Sequence, residues 1–346
     1  TDFMDAPRAP IKDQGSPRLG VGYPITDRTA FHFSYGQFYQ FPDLVNMYNY
    51  SNYQGEGVSP PGWSDEANNL AKDFLYGNPY YPFPYNITDW YIPEVGTPNV
   101  KPQRSVQYET GLRTRIGNQY LLTANLYYKD MFDYIASKRY DADPSQYAIY
   151  ENMDYANSRG LEISLKKLFS NGFDWDLNYT LARAEGNAPT PDYHWYVAEW
   201  ASGYDWRDFN RTYTMPWDQT HTINFRLNYF TPTGFGLSSI ANYGSGLPYT
   251  PEDARARPID EQYSGRMPST SNVNLKLFYD RKMMGYDIRF FADITNLFDK
   301  ENVLAVDNTT GEPDATLDSG QSPMVVWKPY YISAPRHIEI GISISR

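Results

Sequence analysis

Apolar and polar residues alternate along this chain in repeated short stretches. At NGFDWDLNYTLARAE (171–185), Phe173, Trp175, Leu177, Tyr179 and Leu181 share one parity, while Asp174, Asp176, Asn178, Thr180 and Ala182 share the other. A period of two marks a strand with two chemically opposite faces. The pattern recurs at Leu19–Ile25, Phe31–Tyr35, Tyr108–Leu112, Leu122–Tyr128 and Leu161–Leu165. It continues at Ile223–Tyr229, Phe235–Tyr243 (where Ile240 breaks the polar parity), Val273–Tyr279, Tyr286–Ile294 and Ile338–Ile344. Eleven strands are therefore predicted, each about 9–12 residues long, the length a tilted strand needs to cross a bilayer. In a soluble sandwich the apolar face packs on a core; in an outer-membrane barrel it faces lipid and the polar face lines a lumen.

The connections bear on that choice. Five are short: PITD (24–27), IGN (116–118), FSNG (169–172), TPTG (231–234) and DRKMMG (280–285). They alternate with five long ones, at roughly 40–102, 138–155, 186–218, 247–270 and 298–335. Short turns on one rim and long loops on the other describe an antiparallel transmembrane β-barrel, with periplasmic turns and extracellular loops. Tyr23, Tyr128, Tyr179, Tyr229, Tyr243 and Tyr279 carry the apolar parity near predicted strand ends, where an aromatic girdle meets the headgroups.

Composition agrees with this all-β reading. The 346 residues include 33 Tyr, 8 Trp, 24 Gly and 26 Pro, which suits strands and many turns. A mean hydropathy of −0.65 does not exclude a barrel, because its strands show only half their residues to lipid. No run of 18 apolar residues predicts a transmembrane helix. With no cysteine, disulfides and thiolate metal sites are excluded. A net charge of −11 without a basic patch argues against nucleic acid as a partner.

Counting strands back from the end places the C-terminus in the periplasm and the first residues outside. Single-chain bacterial barrels have an even strand number. Residues 1–346 are thus expected to form the C-terminal portion of a larger protein, with N-terminal strands and any plug absent.

Several stretches carry a family resemblance. SPRLGVGYPITDRTAFHFSYGQFYQFPDL (16–44), NVKPQRSVQYETGLRTRIGNQYLLTANLYYKDMFDYI (99–135), NSRGLEISLKKLF (157–169), FFADITNLFDKENV (290–303) and PRHIEIGISIS (335–345) resemble, in order, the C-terminal barrel of TonB-dependent outer-membrane receptors. Arg346 replaces the terminal aromatic usual there. The resemblance implies half of a 22-stranded barrel in the outer membrane of a Gram-negative bacterium. It implies active uptake of an extracellular iron chelate, oligosaccharide, peptide or cobalamin, energised by the TonB complex through a missing N-terminal region. Outer-membrane lipid and a surface lipoprotein are the other partners expected. A porin-like or structural barrel, and a secreted glycan-binding β-sandwich, are the alternatives.

The residues predict no enzyme, cofactor or metal. His32, His194, His221 and His337 lie in separate elements, and no HExxH, GxSxG or phosphate-binding loop occurs. Asp174 and Asp176, about 7 Å apart on one strand face, would fit glycoside chemistry but read better as wall lining. DNTTGEPDATLD (307–318) reads as solvated acids rather than a Ca²⁺ loop. Gly111 and Gly160 fit a bend or a close approach, and Asn296 and Asp299 fit turn chemistry. Ligand recognition is expected in the aromatic long loops, where rings either stack on sugars or chelates or bury the loops against one another; the residues expected to contact ligand are Tyr193, Trp195, Trp200 and Trp206, then Trp90 and Tyr91.

Overall fold

The computed structural model describes residues 11–48, 94–140, 147–190, 211–253, 258–317, 324–327 and 329–345. Eleven strands follow one another in a single antiparallel sheet. They are β1 (Arg18–Thr26), β2 (Thr29–Gln40), β3 (Gln103–Ile116), β4 (Tyr120–Tyr140), β5 (Tyr147–Ser170) and β6 (Phe173–Gly186). The path continues through β7 (His221–Phe230), β8 (Phe235–Gly244), β9 (Thr270–Met283), β10 (Tyr286–Thr295) and β11 (His337–Ser345). Each strand pairs with its chain neighbour, and β1 and β11 are the two ends of the path. Two-residue strands at Glu94–Val95 and Tyr213–Thr214 join β5 and β6 at the long-loop rim.

The predicted number and order of strands hold, and their lengths do not. They run from 9 residues in β1 and β11 to 24 in β5. The long loop predicted at 138–155 is mostly strand, because β4 reaches Tyr140 and β5 begins at Tyr147. The register shifts between Met131 and Ile135, with Asp133 at φ 58°, explain the misreading. A bulge slips the side-chain parity, so the alternation stops while the ladder goes on. The six-residue turn DRKMMG is likewise only Met284–Gly285, at φ 53° and 82°; Arg281 to Met283 stay in β9. Asn171–Gly172, at φ 54° and 85°, has the same form. Both are two-residue loops with positive φ at each centre, the type I′ turn whose twist matches the strands.

The apolar parity lies open. Leu19, Val21, Leu126 and Phe290 are 46–56% exposed, and Ile338, Ile340, Ile342 and Ile344 are 52–80% exposed. Tyr23, Tyr128, Tyr229 and Tyr243 share that exposed face. No second sheet covers it among the described residues, which contain otherwise only two short two-stranded sheets. This overturns the β-sandwich alternative. The buried apolar cluster sits instead at the long-loop rim, where Val100, Ile135 and Tyr150 pack with Met47.

On the polar face, four glycines lie directly opposite ring side chains: Gly111 opposite His32, Gly160 opposite Tyr127, Gly236 opposite Phe278 and Gly341 opposite Phe291. A Cβ on Gly160, Gly236 or Gly341 would fall within 2.8 Å of the opposing ring, and one on Gly111 within 2.6 Å of His32. The expected close approach at Gly111 and Gly160 is therefore real, and the approaching groups belong to the flanking strands: besides the rings, Asn125 Oδ1 would lie 2.3 Å from a Cβ on Gly111, and the Leu181 carbonyl 2.6 Å from one on Gly160. Phe278 and Phe291 are themselves cross-strand partners, and Arg289 lies over the Phe278 ring at 4.5 Å. Aromatic cover of strand glycines restores the packing that a missing side chain forfeits.

Candidate functional site: the polar face and its long-loop rim

The register sorts the polar face by chemistry. Toward the short-turn rim, charged groups pair with one another. Asp174 and Asp176 both face Arg226, with Arg226 Nε donating to Asp176 at 2.9 Å, and Asn228 donating to Asp174 at 3.1 Å. Lys276 binds Asp293 at 2.9 Å, and Arg289 binds both Asp280 oxygens at 2.6 and 2.7 Å. The two aspartates considered for glycoside chemistry are thus held as ion-pair partners in the wall.

One row nearer the long-loop rim, charge gives way to amides. Asn178, Asn224, Asn242 and Asn272 are consecutive cross-strand partners on β6, β7, β8 and β9. Adjacent strands lie about 4.8 Å apart, so this is an evenly spaced asparagine row. Asparagine is depleted in strands, so propensity does not account for four in register. Asn242 Nδ2 donates to Asn224 Oδ1 at 2.6 Å and Asn272 Nδ2 to Asn274 Oδ1 at 3.0 Å. The buried Asn272 Oδ1 meets no partner among the described residues. Thr180, Thr222 and Thr270 continue the uncharged surface above the row.

This surface forms one wall of a cleft of about 690 Å³, which Gln219, Asn224, Asn242 and Asn272 line together with Ser333 and His337. Asn296, the first residue of the NLFD segment, lines it as well. Asn296, at φ 54°, receives the Lys300 N–H at 3.0 Å and donates to the Ala334 carbonyl at 3.1 Å. Asp299 accepts the Arg336 N–H at 2.7 Å. The expected turn chemistry is there, and it also clamps the exit of β10 to the entry of β11. Asn302 ties the same loop to Ser271 through its side-chain oxygen, at 2.8 Å, and its amide, at 2.9 Å.

A second anchor was not visible as a motif. The Asp218 carboxylate, 1% exposed, accepts the Ala184 N–H at 2.7 Å and an Arg266 N–H at 2.7 Å. Arg266 pairs with Pro248 in the hairpin that begins the long β8–β9 connection. Forty-eight residues separate the two charges, a distance across which spacing carries no signal. Arg266→Ala would leave a buried carboxylate without its cation, costing about 1–3 kcal/mol. We expect faster proteolytic cleavage within 246–267, with β8 and β9 themselves still protected.

The six aromatic residues expected to contact ligand, Trp90, Tyr91, Tyr193, Trp195, Trp200 and Trp206, lie outside the described residues. In the acidic segment 307–318, the Asp307 carboxylate accepts the Thr309 N–H at 3.0 Å, a local turn.

An exposed apolar face, a polar face lined by paired charges and amides, and loop lengths segregated by rim define the wall of an outer-membrane-type β-barrel. A family model described as TonB dependent receptor-like, beta-barrel, matches residues 4–297. The chain belongs to the TonB-dependent receptor β-barrel family. Among solved structures it is similar to the outer membrane transporter YddB from Escherichia coli, at 13% identity and TM-score 0.59, covering 94% of this chain and 40% of that one. It is similar also to the ferric enterobactin receptor of Pseudomonas aeruginosa in complex with enterobactin, at 16% identity and TM-score 0.55, covering 95% and 40%. A third is the FrpB iron transporter from Neisseria meningitidis, at 11% identity and TM-score 0.53, covering 94% and 38%. The chain thus spans about two fifths of the length of these structures. No curated protein sequence matches it.

Proposed function

We propose that this chain supplies part of the wall and mouth of an outer-membrane transporter that takes up a neutral, hydrogen-bonding ligand, an oligosaccharide or peptide, in a TonB-dependent manner. In this reading the apolar face contacts lipid, the polar face lines the lumen, and the long loops face outward. The TonB complex acts through a region outside this chain, and no chemical step is catalysed. The carrying observation is the asparagine row at the cleft, whose side chains offer donors and acceptors without net charge. An anionic chelate would gain little from amides and is repelled by the net charge of −11. Trp90, Tyr91, Tyr193, Trp195, Trp200 and Trp206 are proposed to stack on the ligand from the loops above.

Growth of cells carrying the full-length protein on a panel of neutral oligosaccharides and peptides, with and without TonB, tests this. TonB-dependent growth on one of them is expected. The N242A/N272A variant should raise the concentration needed for half-maximal uptake roughly 30-fold, since each of the two lost hydrogen bonds is worth about 1 kcal/mol. TonB-dependent uptake of a ferric catecholate that the variant leaves unchanged would overturn the reading.

A further inference from the structure

Two arginines stand where an apolar face should carry none. Arg159 on β5 and Arg183 on β6 are direct cross-strand partners, on the same parity as Leu161 and Leu181 below them. Like charges directly opposite each other destabilise a sheet. Glu185 relieves this in part, binding Arg159 at 3.0 Å and Arg183 at 2.6 Å. One carboxylate is thus shared between two guanidinium groups, while Asp130, opposite Asn157 on the same parity, accepts from the Tyr155 hydroxyl at 2.6 Å. The Glu185 side chain is 16% exposed, while those of Arg159 and Arg183 are 44% and 59% exposed, so both cations keep N–H groups turned outward.

The height of the pair matters as much as its charge. Arg159 lies opposite Tyr128, which lies opposite Tyr108, which lies opposite Tyr35, so the arginines extend a tyrosine row across β2, β3 and β4. Tyrosines on a lipid-facing surface mark the headgroup level, and at its β6 end the row reaches Arg183, ten residues from the short-turn end of that strand at Phe173 and three from its long-loop end at Gly186. An arginine fork matches phosphate oxygens in a bidentate way that lysine does not.

We propose that Arg159 and Arg183 bind a phosphate group of lipid A in the outer leaflet of the outer membrane, with Glu185 holding the two forks apart and aimed outward. The proposal rests on the reading that the apolar face contacts lipid. Phosphate would bridge the unfavourable arginine pair as Glu185 does from the next row of the same face. Lipid A is favoured over phospholipid because the site lies toward the outward rim, and its phosphate monoesters carry more charge than a zwitterionic headgroup.

The full-length protein, extracted from outer membranes in mild detergent, is examined by native mass spectrometry against bisphosphorylated lipid A, dephosphorylated lipid A, phosphatidylethanolamine and inorganic phosphate. R159Q/R183Q is expected to weaken binding of bisphosphorylated lipid A about 30-fold, taking each arginine at the usual worth of a basic residue near an anionic surface. R113Q, on the polar face, should leave it unchanged. R159K/R183K keeps both charges and should fall between wild type and the glutamine variant, which separates recognition from any folding defect. Equal binding of dephosphorylated lipid A, of phosphatidylethanolamine or of free phosphate would overturn the proposal, as would an unchanged R159Q/R183Q. Recovery of the protein from the aqueous fraction without detergent would instead overturn the membrane reading on which it rests.

Discussion

Leu177→Arg should abolish assembly of the full-length protein into the outer membrane, while Asn178→Arg one residue later should be tolerated. Leu177 pairs with Leu165 on one side and Phe225 on the other, in the middle of the apolar face. An arginine at the middle of a lipid-facing strand costs about 2–4 kcal/mol, because no water or counter-charge is within reach. Asn178 lies on the polar face beside Asp176, to which its amide donates at 3.3 Å, so a cation there finds a carboxylate waiting. Heat-modifiable migration of the outer-membrane fraction reports the outcome. Normal assembly of Leu177→Arg would reverse the assignment of the two faces.

The second large effect is expected at a glycine. A Cβ on Gly236 would lie 2.1 Å from the Phe278 ring, and its three nearest contacts are all atoms of that ring. Gly236→Ala therefore forces the ring off its seat, which should cost about 1–3 kcal/mol as overpacking. In a Phe278→Ala background the obstruction is gone, and the same substitution should be nearly neutral. A double-mutant cycle on urea unfolding of the refolded protein should show that coupling. Additive costs would mean that the glycine is required for its backbone rather than for the ring.

Much of the architecture was legible in the order of residues because a barrel strand writes its two environments into alternate positions. Val273–Tyr279 and Ile338–Ile344 needed no further information. The alternation failed where the backbone itself slips. The bulge near Asp133 moves the parity by one, so the outer ends of β4 and β5 read as loop. Arg281 and Lys282 read as turn residues, although only the positive φ of Met284 and Gly285 makes the reversal. The candidate site was less legible for a different reason. Asn178, Asn224, Asn242 and Asn272 are unremarkable in four separate strands, and become a row only once pairing sets them side by side. The same holds for the glycine–aromatic pairs, and for Asp218 with Arg266. Register is a property of pairs, and a single strand does not state it.

The asparagine row has a consequence for motion. In the transport reading proposed above, amides repeated across four adjacent strands offer a ligand a band of hydrogen-bonding groups, in which one bond can be replaced by the next. No group is a deep trap, because the neighbouring aspartates, arginines and lysines neutralise one another in place. Passage requires attraction strong enough to enter and weak enough to leave. In the proposed transporter such a wall favours short residence, so that affinity at the mouth and speed through the interior can be set by different residues.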